Sequence, residues 1–258
     1  GKYSSASATD STALGARTVA SGNYSTAVGN HAAATGKGSI AAGFKASAGG
    51  NYSSAFGYKA NATVIGATVV GFEATAGSGS NYWGTAIGYE AEATGYSSTA
   101  VGKFADATGS NSVALGHDTD ATGTESSALG VFAGAGGDYS VAVGPATANG
   151  RKAIAIGLNA YASGGQGFAL GSYAQATASN STALGGAIDL NADGSIESNE
   201  ETTASAGLSM ALGTDAQATQ TNASAVGAEA VASGLGATAI GSLSTASATG
   251  AVAIGINS

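Results

Sequence analysis

The sequence predicts an all-β fold, a parallel β-roll (β-solenoid) wound from 14-residue coils, each built of two short strands. Three observations predict it. A unit reading Ser-x-Ala-aliphatic-Gly, then x-x-Ala-x-Ala-x-Gly and a polar turn, recurs along the 258 residues. A repeat of this length is too short for a helical hairpin but sufficient for two strands and two tight turns. Within each unit the residue types alternate with period two, as strand faces require.

The marker glycine stands at Gly15, Gly29, Gly43, Gly57 and Gly71, each 14 residues after the last. After one 17-residue step come Gly88, Gly102, Gly116, Gly130 and Gly144. A 13-residue step leads to Gly157, then Gly171 and Gly185 follow; a 28-residue gap separates these from Gly213, Gly227, Gly241 and Gly255. The repeat runs from end to end, so residues 1–258 read as a single elongated domain.

The first strand is represented by Ser25-Thr26-Ala27-Val28-Gly29. Ser25 and Ala27 point one way, Thr26 and Val28 the other. Two before the glycine the residue is Ala in every unit except for Val69; one before, it is Val, Leu, Ile or Phe except for Ala42. One face is therefore tiny and the other largely apolar. A thin roll has one interior, so whichever face fills it, the other needs a cover. An identical chain is the simplest cover, and the pattern predicts an obligate homo-oligomer.

In the second strand alanines recur three and five after the glycine, as in Ala32/Ala34 and Ala105/Ala107, with Glu92, Thr94, Asp106, Thr108 and Asp120 between and after them. This alternation predicts a half-buried strand whose outer face meets solvent. The second glycine, as in Gly22, Gly36, Gly109 and Gly123, is expected to supply a positive-φ turn.

Composition narrows the function. The chain has 43 Gly, one Pro and no Cys, which excludes disulfides and thiolate metal sites. The net charge is −8; all eight Lys and Arg lie at or before Lys152, and the residues beyond carry seven acids and no base. Nucleic acid is not an expected partner. There is no signal peptide at the start and no long apolar run, so any export signal or anchor is expected outside these residues. His31 and His117 lack the Asp and Ser neighbours of a hydrolase, and no enzymatic activity is expected. The 17-residue coil holds Tyr82 and Trp83, a candidate ligand surface.

The units Ser11-Thr12-Ala13-Leu14-Gly15, Ser112-Val113-Ala114-Leu115-Gly116 and Ala153-Ile154-Ala155-Ile156-Gly157 resemble the head repeat of trimeric autotransporter adhesins, the YadA-like head family. The resemblance covers nearly the whole chain. It implies a left-handed β-roll, a parallel homotrimer, and display on a Gram-negative outer membrane, reached only through a C-terminal anchor outside these residues. It implies a non-catalytic cell-surface adhesin head that binds host extracellular matrix, cell-surface or abiotic ligands. A rigid structural spacer within a surface fibre is the alternative. An ice-binding solenoid is disfavoured, because Thr stands three before the glycine in only 7 of 17 units.

The 28-residue gap predicts an inserted loop at residues 186–200. Asp189-Leu190-Asn191-Ala192-Asp193-Gly194, then Glu200, fits the calcium loop of an EF-hand, D-x-[DN]-x-[DN]-G-x5-E. The side chains of Asp189, Asn191 and Asp193, the carbonyl of Ser195, Glu197 directly or through water, and a bidentate Glu200 would hold one Ca2+ per chain. Neither flank has room for EF-hand helices, so the loop is expected as a lone excursion from a corner of the roll.

Overall fold

The computed structural model describes residues 1–77, 83–187, 189, 195–197 and 200–258. The chain divides into two compact units, Gly1–Phe132 and Ala133–Ser258. Both are parallel β-solenoids, and no helix among the described residues is long and apolar enough to cross a membrane.

Among the described residues of the first unit, nine three-residue strands, from Thr12–Leu14 to Ser127–Leu129, stack as one sheet, and nine two-residue strands, from Ser5–Ala6 to Asp120–Ala121, form the other. Each residue pairs with its repeat equivalent: Thr12 with Thr26, Ala13 with Ala27, Leu14 with Val28. The register survives the 17-residue step, where Thr68 pairs with Thr85 and Val70 with Ile87. The described residues of the second unit form eight strands of each kind, from Val141–Val143 and Gly134–Ala135 onward. It absorbs the 13-residue step, pairing Val141 with Ile154. It also absorbs the 28-residue gap, pairing Gln175 with Thr203 and Thr182 with Met210. Coils on either side of the insertion are therefore direct neighbours.

The interior is made of alanine and serine. Ala27, Ala41, Ala55, Ala114, Ala155 and Ala225 have no exposed surface, and neither do Ser39, Ser53 and Ser98. Several of these serines close the turn before their strand: Ser39 Oγ donates to the Gly36 carbonyl and Ser53 Oγ to that of Gly50, both at 2.7 Å. With this face inside, the aliphatic face is turned outward. Val28, Val70, Ile87 and Leu115 in the first unit, and Leu184 and Ile240 in the second, stay about 40 % exposed.

Two expectations are corrected. The second glycine is not the positive-φ residue. That conformation falls two positions later whatever the residue type, as at Tyr24 (φ 61°), Tyr52 (58°), Asn111 (55°) and Glu125 (54°). Glycine is required at Gly22 because a Cβ there would lie 2.0 Å from the carbonyl oxygen of Gly36 in the next coil. Stacking at sheet spacing leaves no room for a side chain where the chain folds inward. The outer face of the second strand also meets less solvent than its polarity suggests. Glu92 and Asp120 are exposed, but Thr75 and Asp106 are half-buried, shielded by the equivalent residues of the coils above and below.

Candidate binding surfaces

The first turn of each coil builds a straight corner. In the first unit the second residue after the marker glycine donates its backbone N–H to the previous coil's turn: Lys59 to the Phe44 carbonyl, Glu73 to Tyr58 and Glu90 to Phe72, all at 2.8 Å. The corner is thus a third hydrogen-bonded ladder, and it holds successive side chains in file.

Along that file the first unit carries a continuous aromatic column from His31 to Phe132. Phe44, Tyr58, Phe72 and Tyr89 all stand one residue after the glycine. Their rings stack at 5.3, 4.8 and 4.9 Å between centroids, with planes 13°, 6° and 2° apart. Where the ring moves to the second turn position, the contact becomes edge-on. Tyr89 meets Phe104 at 85°, Phe104 meets His117 at 62°, and His117 meets Phe132 at 86°. Position in the turn thus sets ring geometry. These rings remain substantially exposed, Phe44 and Tyr58 at 40 % and Phe132 at 58 %. Aligning the coils in register would have revealed the column in the sequence.

Cations accompany the column. Lys45 Nζ lies 5.4 Å from the Phe44 ring centre, Lys59 Nζ lies 5.3 Å from that of Tyr58, and Lys103 Nζ lies 4.7 Å from that of Phe104. Lys59 pairs with Glu73, and that hydrogen bond holds its ammonium above the usual lysine range.

The opposite corner carries the sequence-predicted aromatic. Trp83 is 57 % exposed, at φ 57°, and meets Tyr96 edge-on at 6.1 Å. Its indole lies across Gly66, whose hypothetical Cβ would be 2.5 Å from Trp83 Cδ1. Tyr82 lies outside the described residues.

The insertion replaces a first turn, as its sequence position requires. Its two ends meet: the Thr202 hydroxyl reaches the Gly186 carbonyl at 2.7 Å and that of Gly213 at 2.8 Å. Of the candidate calcium ligands, Asp189 and Glu197 are half-buried, Ser195 is exposed and Glu200 is 1 % exposed. Glu200 Oε2 accepts the Glu197 backbone N–H at 3.1 Å, while the Glu200 N–H donates to the Glu197 carbonyl at 2.9 Å. Asn191 and Asp193 lie outside the described residues. Among the described residues no three His, Asp or Glu side chains converge as a metal site. Asp215, whose backbone N–H donates to the Gly186 carbonyl at 3.2 Å, is 4 % exposed. Burial, with the nearby charges of Glu229 and Glu200, raises its carboxyl against the lowering hydrogen bond from Gln217. Burial likewise raises Glu201, opposed by its hydrogen bond from Gln175.

A second acidic ladder lies in the first unit, where Glu92, Asp106 and Asp120 occupy equivalent places in successive coils. Asp106 Oδ1 has no hydrogen-bond partner, and burial, then Glu92 and Asp120, push its carboxyl up to about 6.

No curated protein matches the chain. The profile of the YadA head domain repeat (2 copies) matches residues 6–32, 34–60, 84–105, 93–119, 121–147, 148–174, 162–187, 204–230 and 232–258. Its two sizeable breaks, 61–83 and 188–203, overlap the 17-residue step and the insertion, the places where the period itself is interrupted. With the family's repeat spread over most of both units, the chain belongs to the YadA head repeat family, the head domain of trimeric autotransporter adhesins.

Proposed function

We propose that this chain is the non-catalytic binding head of a cell-surface adhesin, working as a homotrimer on a Gram-negative outer membrane. The outward aliphatic face carries the reading. The interior is already filled by Ala and Ser, so Val28, Val70, Ile87 and Leu115 have no cover within their own unit. Completing the burial of one such side chain is worth roughly 1 kcal/mol. Repetition over successive coils makes this enough to hold identical chains together. Family membership supports three as the number, and the remaining corners would then be presented in triplicate, so that weak contacts add by avidity. Host matrix, host cells and abiotic surfaces are the ligand classes.

The experiment is attachment of the purified, sedimentation-verified trimer to immobilised extracellular matrix, cultured cells and plastic. Saturable attachment to any of these supports the adhesin. A trimer that attaches to none is the rigid spacer. The coil-to-coil ladders favour that second reading, while the exposed aromatic column favours the first.

Calcium belongs to the same proposal. The residues of the inserted loop offer an all-oxygen donor set of four carboxylates, an amide and a carbonyl, which suits a hard divalent cation of calcium's size. Glu200 and Asp215 are buried acids in a stretch without a single Lys or Arg, so a cation would relieve their repulsion. Asp189, Asn191, Asp193, Ser195, Glu197 and Glu200 would hold it, and it would order the excursion.

A further inference from the structure

We propose that the first-turn corner from Lys2 to Lys59 is a binding row for a linear anionic polysaccharide, carrying sulfate or carboxylate groups. The inference rests on the adhesin reading and names its ligand class.

Charge is the first observation. Residues 1–72 hold five bases (Lys2, Arg17, Lys37, Lys45, Lys59) and one acid (Asp10), a net +4, whereas the remaining residues hold three bases and fifteen acids, a net −12. Cations are therefore concentrated on a chain that is otherwise acidic.

Placement is the second. Four of those five bases stand on the first-turn corner, in the coils that begin at Gly1, Gly15, Gly43 and Gly57. The intervening coil supplies His31, whose Nε2 lies 3.3 Å from Arg17 Nη1. Arginine can only donate, so Nε2 accepts and the Nδ1–H is directed to Asn30 Oδ1. All five side chains are exposed. Backbone bonds fix their spacing: Arg17 N–H to the Lys2 carbonyl, His31 to Ala16, Lys45 to Asn30 and Lys59 to Phe44, at 2.8 to 3.0 Å. Four steps at sheet spacing make a row of about 19 Å.

Shape is the third. Lys2, Tyr3, Arg17 and His31 line an open cleft of about 230 Å³ at one end of the row. At the other end the ammonium groups of Lys45 and Lys59 lie over the stacked Phe44 and Tyr58 rings. The row stops where Glu73 takes Lys59.

A straight file one cation wide, stepping by about the length of one sugar ring, suits a single extended chain with repeating anionic groups. The exposed ring edges and the Tyr58 hydroxyl give the sugar C–H and O–H groups partners that a bare anion would not use. A long duplex or a planar anionic membrane would instead meet the acidic coils that follow and be repelled.

The test measures binding of the whole 258-residue chain, in its native oligomeric state, to dextran sulfate, polygalacturonate, neutral dextran, duplex DNA and phosphatidylserine vesicles at physiological salt. The expected result is binding to one or both anionic polysaccharides and not to neutral dextran. The Arg17→Gln/Lys45→Gln variant should bind roughly tenfold or more weakly, with a shallower salt dependence. The Arg151→Gln/Lys152→Gln variant, which loses the same charge elsewhere, should bind as the parent does. The preferred polysaccharide distinguishes sulfate from carboxylate recognition. Equal losses in both variants, tighter binding to DNA or vesicles, or no polysaccharide binding would overturn the row. A head that attaches to cells yet ignores both polysaccharides refutes this inference alone; one that attaches to nothing refutes the adhesin reading beneath it.

Discussion

Phe72 and Tyr89 stack with ring centroids 4.9 Å apart and planes 2° apart, although 17 rather than 14 residues separate them. The sheet register and the aromatic file pass through this longer coil undisturbed. Phe72 has a stacked neighbour on each side, Tyr58 at 4.8 Å and Tyr89. Phe72→Ala should cost about 2 kcal/mol, from two lost ring pairs and some lost burial. Phe132→Ala, which loses one edge contact from a 58 % exposed ring, should cost less than half as much. Equilibrium denaturation of both variants checks the ranking.

Close approach between coils, rather than backbone conformation, is what demands the second-turn glycine. A Cβ on Gly36 would lie 2.0 Å from the Gly50 carbonyl oxygen, whereas at Gly236 (φ 63°) nothing lies within 4 Å. Gly36→Ala should destabilise by about 3 kcal/mol, since backbone must move. Gly236→Asn should be nearly neutral, because Asn tolerates the left-handed region. Melting curves of the two variants should separate clearly. Equal melting temperatures would contradict the assignment.

The half-buried carboxylates give the fold a pH dependence of definite sign. Asp106 titrates near 6 in the folded chain, above the ordinary carboxylate value. Its ionised form is therefore the costly one. The cost is absent below about pH 4, grows as pH rises to 6 and is constant above that. Acidifying from pH 7.5 to 5 should raise stability, by about 1 kcal/mol for Asp106 after allowing for its partial solvation. Asp120, Asp215 and Glu201 are raised by burial too and act in the same direction. Asp106→Asn should gain that stability at pH 7.5 and flatten the profile. A fold that weakens over this range would contradict the burial of these groups.

Most of the scaffold was legible because each coil repeats the same local demand. The period put alanine and the aliphatic residue beside it on opposite faces, but which face fills the interior was left open until the structure placed alanine inside. The insertion was placed for the same reason: Gln175 pairs with Thr203 only if the intervening excess leaves the stack. The left-handed turn residues were hidden because Lys45, Tyr52 and Glu125 are not types that advertise positive φ; hydrogen bonding between turns imposes it on them. The cationic row was hidden by averaging, since acids later in the chain cancel Arg17 and Lys45 in any long count. The aromatic column was hidden by distance along the chain, each ring being 13 to 17 residues from the next.

Calcium should act locally. Added calcium is expected to protect the inserted loop from proteolysis and to bind once per chain in titration calorimetry, with heat lost in Asp189→Asn/Glu200→Gln. At calcium a hundredfold above the dissociation constant, the bound loop gains about 2.7 kcal/mol against opening. Unchanged calcium uptake in the double variant would remove the site.

The outward aliphatic face is the central claim, and sedimentation equilibrium tests it most directly, run with calcium and again with excess chelator. The expected mass is three times the 24.1 kDa chain in both, because Val28, Val70, Ile87 and Leu115 need a cover that no metal supplies. A stable monomer would contradict it, since those side chains would then stand exposed to water in the native protein.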